Sequence, residues 1–563
     1  MEYNPLLLKM FENRGYSPEF LQSLDKYDPD EILLHAPEFC EKLRDLHEAR
    51  THIVFLPDFD MDGIMSGVIG FAGLAELGFR VSLFIPDPKE GYGFDRNVVD
   101  RLVKTYPDVG AIVTADVGIT CYDGIAAAKE RGIQVLVTDH HMPARALPEA
   151  DIIVDPLLPD ETYSNSSICG ANVIYQVLQL YANTYCDTWM VSQIRRLRVF
   201  AGIGTISDSM LLAHGNRSLV RNAVSICKLV YSNGNDFAVN SIQGSVQYRR
   251  AFKGLYLMLC LFADAGKLPT LESLDEDFFG YYLAPAFNSV KRMGGDMSTA
   301  FGVFFGNEPE EDANQLFVLN ENRKVLVDSY YNQILNQTNP WAPYLYICDA
   351  PDGILGLLAT RLMDTGKGPC LVVRRETSGN IHGSGRSPSW YPFLERANGH
   401  GCQGAGHNAA FGVTMNGGIS GVDECFEFLT KDSENMRSRV DPGVFKIVPD
   451  FIIDHNGGGD TGINIILFLE FMDELKQFKP FGVGFEAPRI LLKFKATDGE
   501  WQTLGSAQQH LKIRLPYGFD VLVWNAADKL SWAGTDREVA LFGSLNLNEF
   551  RNTLTVQFIG DFV

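Results

Sequence analysis

The chain has 563 residues and a mass of 62.6 kDa, more than one hydrophobic core usually serves, so we expect several domains. Hydrophobic residues make up 46% and charged residues 21% of the sequence, a composition that excludes wholesale disorder. The 70 acidic residues outnumber the 48 basic ones, and the resulting formal charge of −22 argues against broad, sequence-blind binding to nucleic acid or anionic membranes.

Neither a targeting segment nor a disulfide framework is indicated. Met1 is followed by Glu2 and Tyr3 without a basic and then apolar leader, and no uncharged apolar run is long enough to span a membrane. The ten cysteines are scattered and form no Cys-x-x-Cys pair. We therefore expect a cytoplasmic protein with reduced thiols and no membrane partner.

The pattern of apolar residues predicts a helical N-terminal segment over 1–50 and an α/β domain after it. From His52, short β-rich apolar runs alternate with helical stretches. These runs are 52–57, 81–85, 111–115, 134–138 and 151–154. The alternation predicts an α/β fold with a doubly wound parallel sheet, in a domain that covers 51–315 and includes a helical extension.

The rest of the chain predicts two further domains. We expect a connecting helix within 316–340, a second α/β domain over 341–445 and a β-rich domain over 446–563. Five short strands without long helices between them are typical of an OB-fold-like β-barrel. These strands are 489–495, 510–515, 520–524, 538–543 and 553–559.

Basic and aromatic residues of the last domain are candidates for contact with nucleic acid. Lys512 and Arg514 alternate on one predicted strand, so their side chains share a face. Tryptophans in the same domain could stack on bases, with packing in the core as the alternative. These tryptophans are Trp501, Trp524 and Trp532.

Acidic and histidine side chains stand at the ends of the predicted strands of the first domain. They are Asp58, Asp60, Asp62, Asp116, Asp139, His140 and His141, and Asp208 follows a further apolar stretch. Ligands in parallel sheets bind beyond the carboxyl ends of the strands. Hard divalent cations prefer carboxylate oxygens, and imidazole suits manganese, so the set predicts a two-metal site. A turn or helix cap is the alternative for any single Asp, but four clusters favour metal.

The ordered motifs resemble the DHH phosphoesterases and, within them, the RecJ-type single-strand-specific exonucleases. The resemblance covers nearly the whole chain from about residue 50. It is carried by Asp58-Phe59-Asp60-Met61-Asp62-Gly63, Glu90-Gly91-Tyr92-Gly93, Asp116 in 114–120, Asp139-His140-His141, Asp208, 288–294, Gly383-Ser384-Gly385-Arg386-Ser387, Gly406-His407-Asn408-Ala409-Ala410 and 480–486.

This resemblance implies two bound divalent metal ions, with Mn²⁺ expected and Mg²⁺ as the alternative. The implied ligands are Asp60, Asp62, Asp116, His140 and Asp208, with Asp116 as the bridge and Asp58 as a further ligand. Asp139 would orient a neighbouring histidine, and His141 would contact the scissile phosphate or assist the leaving oxygen. Many relatives have a histidine where this chain has Leu56, which removes one ligand.

A second set of residues is expected to bind the phosphates of the substrate. The segment Gly383-Ser384-Gly385-Arg386-Ser387 offers close backbone approach, two hydroxyl groups and a guanidinium that can grip a phosphate with two hydrogen bonds. The alternative is a solvated surface with a glycine turn. With the resemblance, we predict phosphate binding by Ser384 and Arg386, with His407 and Arg292 closing on the strand.

The predicted function is a two-metal-dependent 5′→3′ exonuclease that hydrolyses single-stranded DNA to 5′-mononucleotides in DNA repair and recombination. The expected partner is single-stranded DNA with a 5′ end, a helicase or single-strand-binding protein is a candidate protein partner, and we expect a monomer. One alternative is a DHH phosphoesterase for nanoRNA, pAp or cyclic dinucleotides, which would not need the terminal β-rich domain. The other alternative is a catalytically inactive DHH scaffold.

Overall fold

The structure is a computed structural model in which the chain forms two compact units. The larger unit contains Pro29–Met210 and Asn222–Phe445, and the smaller unit contains Met1–Asp28, Leu211–Arg221 and Lys446–Val563. The described residues are 3–26, 30–91, 93–234, 243–268, 270–271, 273–366, 368–376, 379–400, 402–415, 419–440, 448–505, 508–550 and 553–563. No helix within these ranges is both long and apolar enough to cross a membrane.

The first sheet of the larger unit has five strands, all parallel, in the order β2-β1-β3-β4-β5. The strands are β1 (His52–Pro57), β2 (Val81–Leu83), β3 (Val109–Ala115), β4 (Gln134–Thr138) and β5 (Ile152–Val154). The helices that surround it are α3 (Ala36–Glu48), α4 (Met61–Glu76), α5 (Arg96–Thr105), α6 (Tyr122–Glu130) and α7 (Gly170–Tyr185). All five predicted strands are present.

Both faces of this sheet are covered, which is why β1 is buried along its whole length. Val54 and Leu56 point into a cluster that α5 and α6 complete with Val99, Leu102 and Ile125. On the other face, the ring of Phe55 lies so close to α4 that a side chain at Gly70 would collide with it. Alternate residues of one apolar strand therefore serve two separate cores.

A series of helices leads from the first sheet to a second one. These helices are α8 (Thr188–Arg196), α9 (Arg198–Ser207), α10 (Gly215–Ser232), α11 (Val246–Asp264), α12 (Glu276–Phe278), α13 (Ala284–Arg292), α14 (Ser298–Phe305) and α15 (Pro309–Leu335). The last of them is the long connecting helix, and it begins earlier than the sequence pattern predicted. Pro309 suits the first turn because its ring fixes φ, and the acids of that turn favour the positive end of the helix dipole.

The second sheet of the larger unit has the order β6-β7-β8-β10-β9 and is mixed, with one parallel pair at its edge. Its strands are β6 (Leu345–Ile347), β7 (Cys370–Arg375), β8 (Ile381–Arg386), β9 (Gln403–His407) and β10 (Ala410–Met415). The helices α16 (Asp352–Gly366), α17 (Phe393–Asn398) and α18 (Ile419–Arg439) complete this α/β region.

The smaller unit is built on a seven-stranded sheet with the order β11-β12-β16-β17-β15-β14-β13. Its strands are β11 (Phe451–Asp454), β12 (Ile490–Lys495), β13 (Glu500–Leu504), β14 (His510–Leu515), β15 (Phe519–Val523), β16 (Glu538–Phe550) and β17 (Thr553–Phe562). The helices α1 (Pro5–Arg14) and α2 (Pro18–Ser23) belong to this unit, as does α19 (Ile465–Leu475). Leu7 and Met10 of α1 are buried in the core of the sheet.

Candidate active site

The carboxyl ends of the strands in the first sheet line up at one edge. The last residues of β1, β3, β4 and β5 stand side by side in parallel register. The ladder then continues by one residue, since the N–H groups of Asp58, Asp116 and Asp139 donate to the last carbonyl of the neighbouring strand at 3.2, 3.0 and 3.1 Å. Three of the predicted acidic positions are therefore neighbours along this edge.

The remaining predicted acids come from helix ends that meet the same edge. Asp60 is the N-cap of α4, and its Oδ1 accepts a hydrogen bond from the N–H of Gly63 at 3.0 Å. Asp62 lies in the first turn of α4 and accepts from the N–H of Gly170 at 2.7 Å. Asp208 follows the last residue of α9. Helix capping, the alternative to metal binding, thus occurs at Asp60 and occupies one of its oxygens.

The structure brings these side chains into three groups whose potential ligand atoms lie within 4.8 Å of one another. The groups are Asp58, Asp60 and Asp116; Asp62, His140 and Asp208; and Asp116, His140 and His141. Asp116 and His140 each belong to two groups. The Nε2 atom of His140 lies 3.0 Å from Oδ1 of Asp116 and 3.6 Å from Oδ2 of Asp208. All six predicted metal ligands are in these groups.

The residues present fit a divalent metal ion. The Oδ1 atom of Asp116 is buried and accepts no hydrogen bond among the described residues, although His140 lies beside it. Glycines leave the space that the carboxylates occupy: a Cβ at Gly170 would lie 2.6 Å from Asp116 Oδ1, and one at Gly204 would collide with Asp62 Oδ1. A pocket of carboxylate oxygens with one imidazole is a donor set that Mn²⁺ and Mg²⁺ accept.

Crowding of the acids disturbs their titration. Burial, followed by the charge of Asp60, raises the pKa of Asp58 to about 8 and the pKa of Asp62 to about 6. Burial and the charge of Asp62 raise the pKa of Asp208 to about 8. Burial and the neighbouring acids also hold the pKa of Asp116 well above its usual range. Bound cations would relieve this repulsion and keep the carboxylates ionised.

The two histidines of the site are in opposite electrostatic environments. Burial and the charge of His141 lower the pKa of His140 to about 4, which leaves His140 neutral and able to bind a metal ion. Burial opposes protonation of His141, but the hydrogen bond and charge of Asp139 raise the pKa of His141 to about 9. The Nδ1 atom of His141 lies 2.7 Å from Oδ1 of Asp139.

Asp139 organises the loop after β4. Its Oδ1 accepts hydrogen bonds from the N–H groups of His140 and His141 at 2.7 and 3.2 Å, and its Oδ2 accepts from the N–H of Ile119 at 2.8 Å. Burial disfavours the charge of Asp139, yet the hydrogen bond from His141 lowers its pKa below the usual value. The carboxylate is therefore placed to orient the imidazole of His141.

Two residues near the site were not anticipated. Asp155 follows β5 directly, is fully buried, and has an Oδ2 without a hydrogen-bond partner in the described part of the chain. Burial raises its pKa to about 7. Asp155 directly follows a strand of the same sheet, so the pattern of acids after strands could have identified it from the sequence. Lys291 of α13 places Nζ 4.0 Å from the ring centroid of Phe59, and no sequence pattern singled it out.

The predicted phosphate-binding residues lie in the same larger unit. Ser384 and Arg386 are on β8, and Arg386 donates from Nη1 to Ser384 Oγ at 2.9 Å. Arg292 ends α13, and burial, followed by the charges of Arg323 and Arg386, lowers its pKa to about 10 against the opposing effect of Asp60. Asn288 of the same helix accepts a hydrogen bond from the N–H of Met61 at 2.9 Å, which fixes α13 beside α4. The side chain of His407, the fourth predicted residue, lies outside the described residues.

The predicted basic residues of the smaller unit are paired with an acid. Lys512 and Arg514 of β14 lie 2.6 and 3.2 Å from the carboxylate of Asp520 on β15. Trp501 packs against the core of the sheet. Trp524 is half exposed, with 51% of its surface accessible.

Two family models match separate parts of this chain. The DHH family, N-terminal domain, matches residues 52–200, and the RecJ OB domain matches residues 466–561. The predicted parallel-sheet α/β domain and the OB-type C-terminal domain are confirmed by these matches.

The chain is similar to RecJ proteins over its whole length. It is 26% identical over 601 residues to the single-stranded-DNA-specific exonuclease RecJ of Escherichia coli (strain K12), an alignment that covers 100% of this chain and 96% of that protein. RecJ of Thermus thermophilus in complex with Mn²⁺ matches with a TM-score of 0.72, 22% identity and coverage of 99% of this chain and 75% of that chain. The same protein in complex with Mg²⁺ gives a TM-score of 0.69, 21% identity and coverage of 99% and 74%. The predicted RecJ-type resemblance is confirmed, and the structural matches show a shared fold.

Proposed function

We propose that this chain is a metal-dependent exonuclease that hydrolyses single-stranded DNA from a 5′ end and releases 5′-mononucleotides. The observation that carries the proposal is the meeting of three potential ligand groups around Asp116 and His140 at one sheet edge. Similarity to single-stranded-DNA-specific exonucleases over the whole chain supports a hydrolytic nuclease. The proposed cellular role is DNA repair and recombination.

The proposed mechanism uses two divalent ions, with Mn²⁺ as the expected metal. When bound, they would lower the pKa of a water molecule and neutralise the charge of the phosphoryl oxygens. Asp116 is proposed as the bridging ligand because it belongs both to the group with Asp58 and Asp60 and to the group with His140 and His141. No side-chain nucleophile is required, since the attacking group would be water.

His141 is proposed to act on the scissile phosphate. Asp139 holds its Nδ1, so the Nε2–H of the protonated ring is the donor that we assign to a phosphoryl oxygen or to the leaving oxygen. The raised pKa of His141 keeps the ring protonated near neutral pH. Without the carboxylate of Asp139, the pKa of His141 would be lower and less of the ring would be protonated near neutral pH.

Recognition of the 5′ end is assigned to Ser384, Arg386 and Arg292, with His407 as predicted from the sequence. A guanidinium binds phosphate with charge-assisted hydrogen bonds that a lysine cannot reproduce in the same geometry. The RecJ OB domain at 466–561 favours a polymeric substrate over nanoRNA, pAp or a cyclic dinucleotide. The retained carboxylates and histidines disfavour an inactive scaffold.

Incubation of the purified protein with Mn²⁺ and 5′-labelled substrates tests the proposal. The substrates are single-stranded DNA, duplex DNA, single-stranded RNA and a dinucleotide. We expect labelled mononucleotide from single-stranded DNA, and a loss of at least about a hundred-fold in Asp116→Ala because a shared ligand is removed. Asp160→Ala, at an exposed acid of the same unit, is the matched control. Survival of single-stranded DNA, or an Asp116→Ala variant as active as the wild type, would reject the proposal.

A further inference from the structure

Two cysteines face each other in the core beside the second sheet. Cys402 directly precedes β9, and Cys425 lies in α18. Their Sγ atoms are 3.5 Å apart, and both residues are buried, with 4% and 3% of their surfaces accessible. All ten cysteines fall within the described ranges, and these two are the only ones among them whose sulfur atoms share a hydrogen bond. We call them the thiol pair.

The separation of the two sulfur atoms suits a disulfide bond. Bonded sulfur atoms are about 2.05 Å apart, so the two Sγ atoms at 3.5 Å need to approach by about 1.5 Å. Cys402 belongs to the short segment between α17 and β9, where its N–H donates to the carbonyl oxygen of Ala397 at 3.2 Å. A small shift of this segment, together with rotation of the side chains, supplies an approach of this size.

A bound metal ion is the other chemistry that two thiols can support. A structural zinc site takes four ligands, and the thiol pair provides only two. Among the described residues, every group of three or more potential metal ligands lies at the candidate active site, and none includes the thiol pair. His400, close by in the sequence, stacks on Phe428 and has Nδ1 at 3.0 Å from the carbonyl oxygen of Arg396. A reaction between the thiols therefore fits better than metal binding.

The two thiols differ in acidity. The hydrogen bond between them lowers the pKa of Cys425 below its ordinary value, although burial opposes this effect. The same hydrogen bond, followed by burial, raises the pKa of Cys402. Because the thiolate is the nucleophilic form of cysteine, Cys425 is the sulfur that reacts first.

We propose that Cys402 and Cys425 form a disulfide bond when the protein meets hydrogen peroxide, and that this bond fastens β9 to α18. The inference goes beyond the proposed function and does not depend on it. The two residues are 23 positions apart in the chain, so the bond would close a loop of that length and restrict the unfolded chain. Formation of the bond should therefore stabilise the folded protein.

The strand that would be fastened lies at the edge of the second sheet. β9 pairs only with β10, and β10 in turn pairs with β8. Ala410 of β10 stands between His407 of β9 and Arg386 of β8. The bond would thus hold the hairpin of β9 and β10 beside the strand that carries Ser384 and Arg386.

The reaction balances with hydrogen peroxide as the oxidant. The Cys425 thiolate attacks one oxygen of the peroxide, the O–O bond breaks, hydroxide leaves, and Cys425 carries a sulfenic acid. The Cys402 sulfur then attacks the Cys425 sulfur, the S–O bond breaks, and the oxygen leaves as water. Two thiols and one peroxide thus give one disulfide and two water molecules. Hydrogen peroxide is small and uncharged, so it can reach the buried sulfur through local opening of the edge strand.

Treatment of the reduced full-length protein with hydrogen peroxide tests the inference. Peptide mapping without reductant identifies the joined cysteines, titration in denaturant counts the free thiols, and melting curves measure stability. Cys402→Ser and Cys425→Ser each remove one sulfur of the pair. Cys348→Ser is the matched control, because Cys348 is buried and directly follows β6 of the same sheet.

We expect a peptide joined through Cys402 and Cys425, and the loss of two of the ten free thiols. The melting temperature should rise by about 5 °C and return to its first value with dithiothreitol. Cys348→Ser should keep the joined peptide and the rise, whereas both variants of the pair should lose them. In Cys402→Ser, dimedone should trap the sulfenic acid on Cys425, because no second thiol is present to displace it.

Ten free thiols after peroxide treatment of the folded protein would overturn the inference, as would a disulfide that joins other cysteines instead. Bound zinc that protects both thiols from peroxide would also overturn it, since the pair would then be a metal site. The peptide map of the wild type decides even where a serine variant fails to fold. Digestion of DNA is not measured, so failure of the proposed function would leave these results unchanged.

Discussion

Two groups of like charge in the larger unit contrast with each other. One is the acids of the candidate metal site around Asp116, and the other is the arginines Arg292, Arg323 and Arg386. At the candidate metal site, burial and then the charges of neighbouring acids raise the pKa values of Asp58 and Asp208 to about 8. Burial, followed by the charges of Arg323 and Arg386, lowers the pKa of Arg292 to about 10. Several charged residues of the described chain pair instead, as Arg96 does with Glu130 and Arg361 with Asp328.

This contrast explains how a chain of net charge −22 can act on a polyanion. In the proposed reaction, the acids would hold cations that contact phosphate, and Arg292 and Arg386 would contact phosphate directly. The basic residues Lys512 and Arg514 in the smaller unit are instead neutralised by Asp520. The net charge of the whole chain is therefore a poor guide to the charge at each site.

The largest effect is expected from crowding the metal centre by a single methyl group. In Gly170→Ala, the new Cβ would lie 2.6 Å from Oδ1 of Asp116 and displace the carboxylate. A displacement of about 1 Å at a reacting group costs about a hundred-fold in rate. We expect that loss in kcat, with weaker Mn²⁺ binding by calorimetry. Gly399→Ala is the control, since its nearest neighbour is 3.5 Å away, and wild-type Mn²⁺ affinity in Gly170→Ala would contradict the expectation.

The next effect concerns the charge that Asp139 gives to His141. In Asp139→Asn, the pKa of His141 should fall from about 9 toward its ordinary value near 6.5, because the carboxylate that raises it is gone. We expect kcat to fall about 10- to 100-fold and the alkaline limb of its pH profile to move to lower pH. His141→Ala should lose that limb. An unchanged limb in Asp139→Asn would assign the protonated group to another residue.

A smaller effect is expected on the stability of the metal-free protein. Asp58 and Asp208 have folded-state pKa values of about 8, above the value near 3.9 of an unfolded Asp, so the folded protein binds more protons between these limits. Stability should therefore fall as pH rises from about 4 to about 8. Melting curves in EDTA at pH 6 and pH 8 measure this loss, and Mn²⁺ should reverse it. A higher melting temperature at pH 8 in EDTA would contradict the prediction.

Most of the predicted metal ligands stand at or just beyond the carboxyl ends of parallel strands, a pattern that the sequence displays, whereas Asp208 follows helix α9. The same rule applied to β5 points to Asp155, and the omission of that residue was avoidable. Arg323 followed no such rule, since one polar residue in a long helix has no pattern of its own. Its charge acts on Arg292 of the separate helix α13, and only the packing of the folded chain relates the two. Sites built along one sheet edge are readable from the sequence, whereas sites built from separate elements are not.

The smallest effect is expected in the smaller unit, where removing the acid Asp520 should leave its basic partners uncompensated, as the arginines of the larger unit are. In Asp520→Asn, Lys512 and Arg514 lose the carboxylate at 2.6 and 3.2 Å and become available to phosphates. The affinity for single-stranded DNA should rise about two- to threefold, and the slope of log K against log salt should steepen by about 0.7 for each additional phosphate that the protein neutralises. Fluorescence anisotropy over a salt series measures both. Asp473→Asn changes the net charge equally but frees Lys476, which follows α19 and does not belong to β14. The same rise in affinity in that variant would mean that overall charge rather than position controls binding.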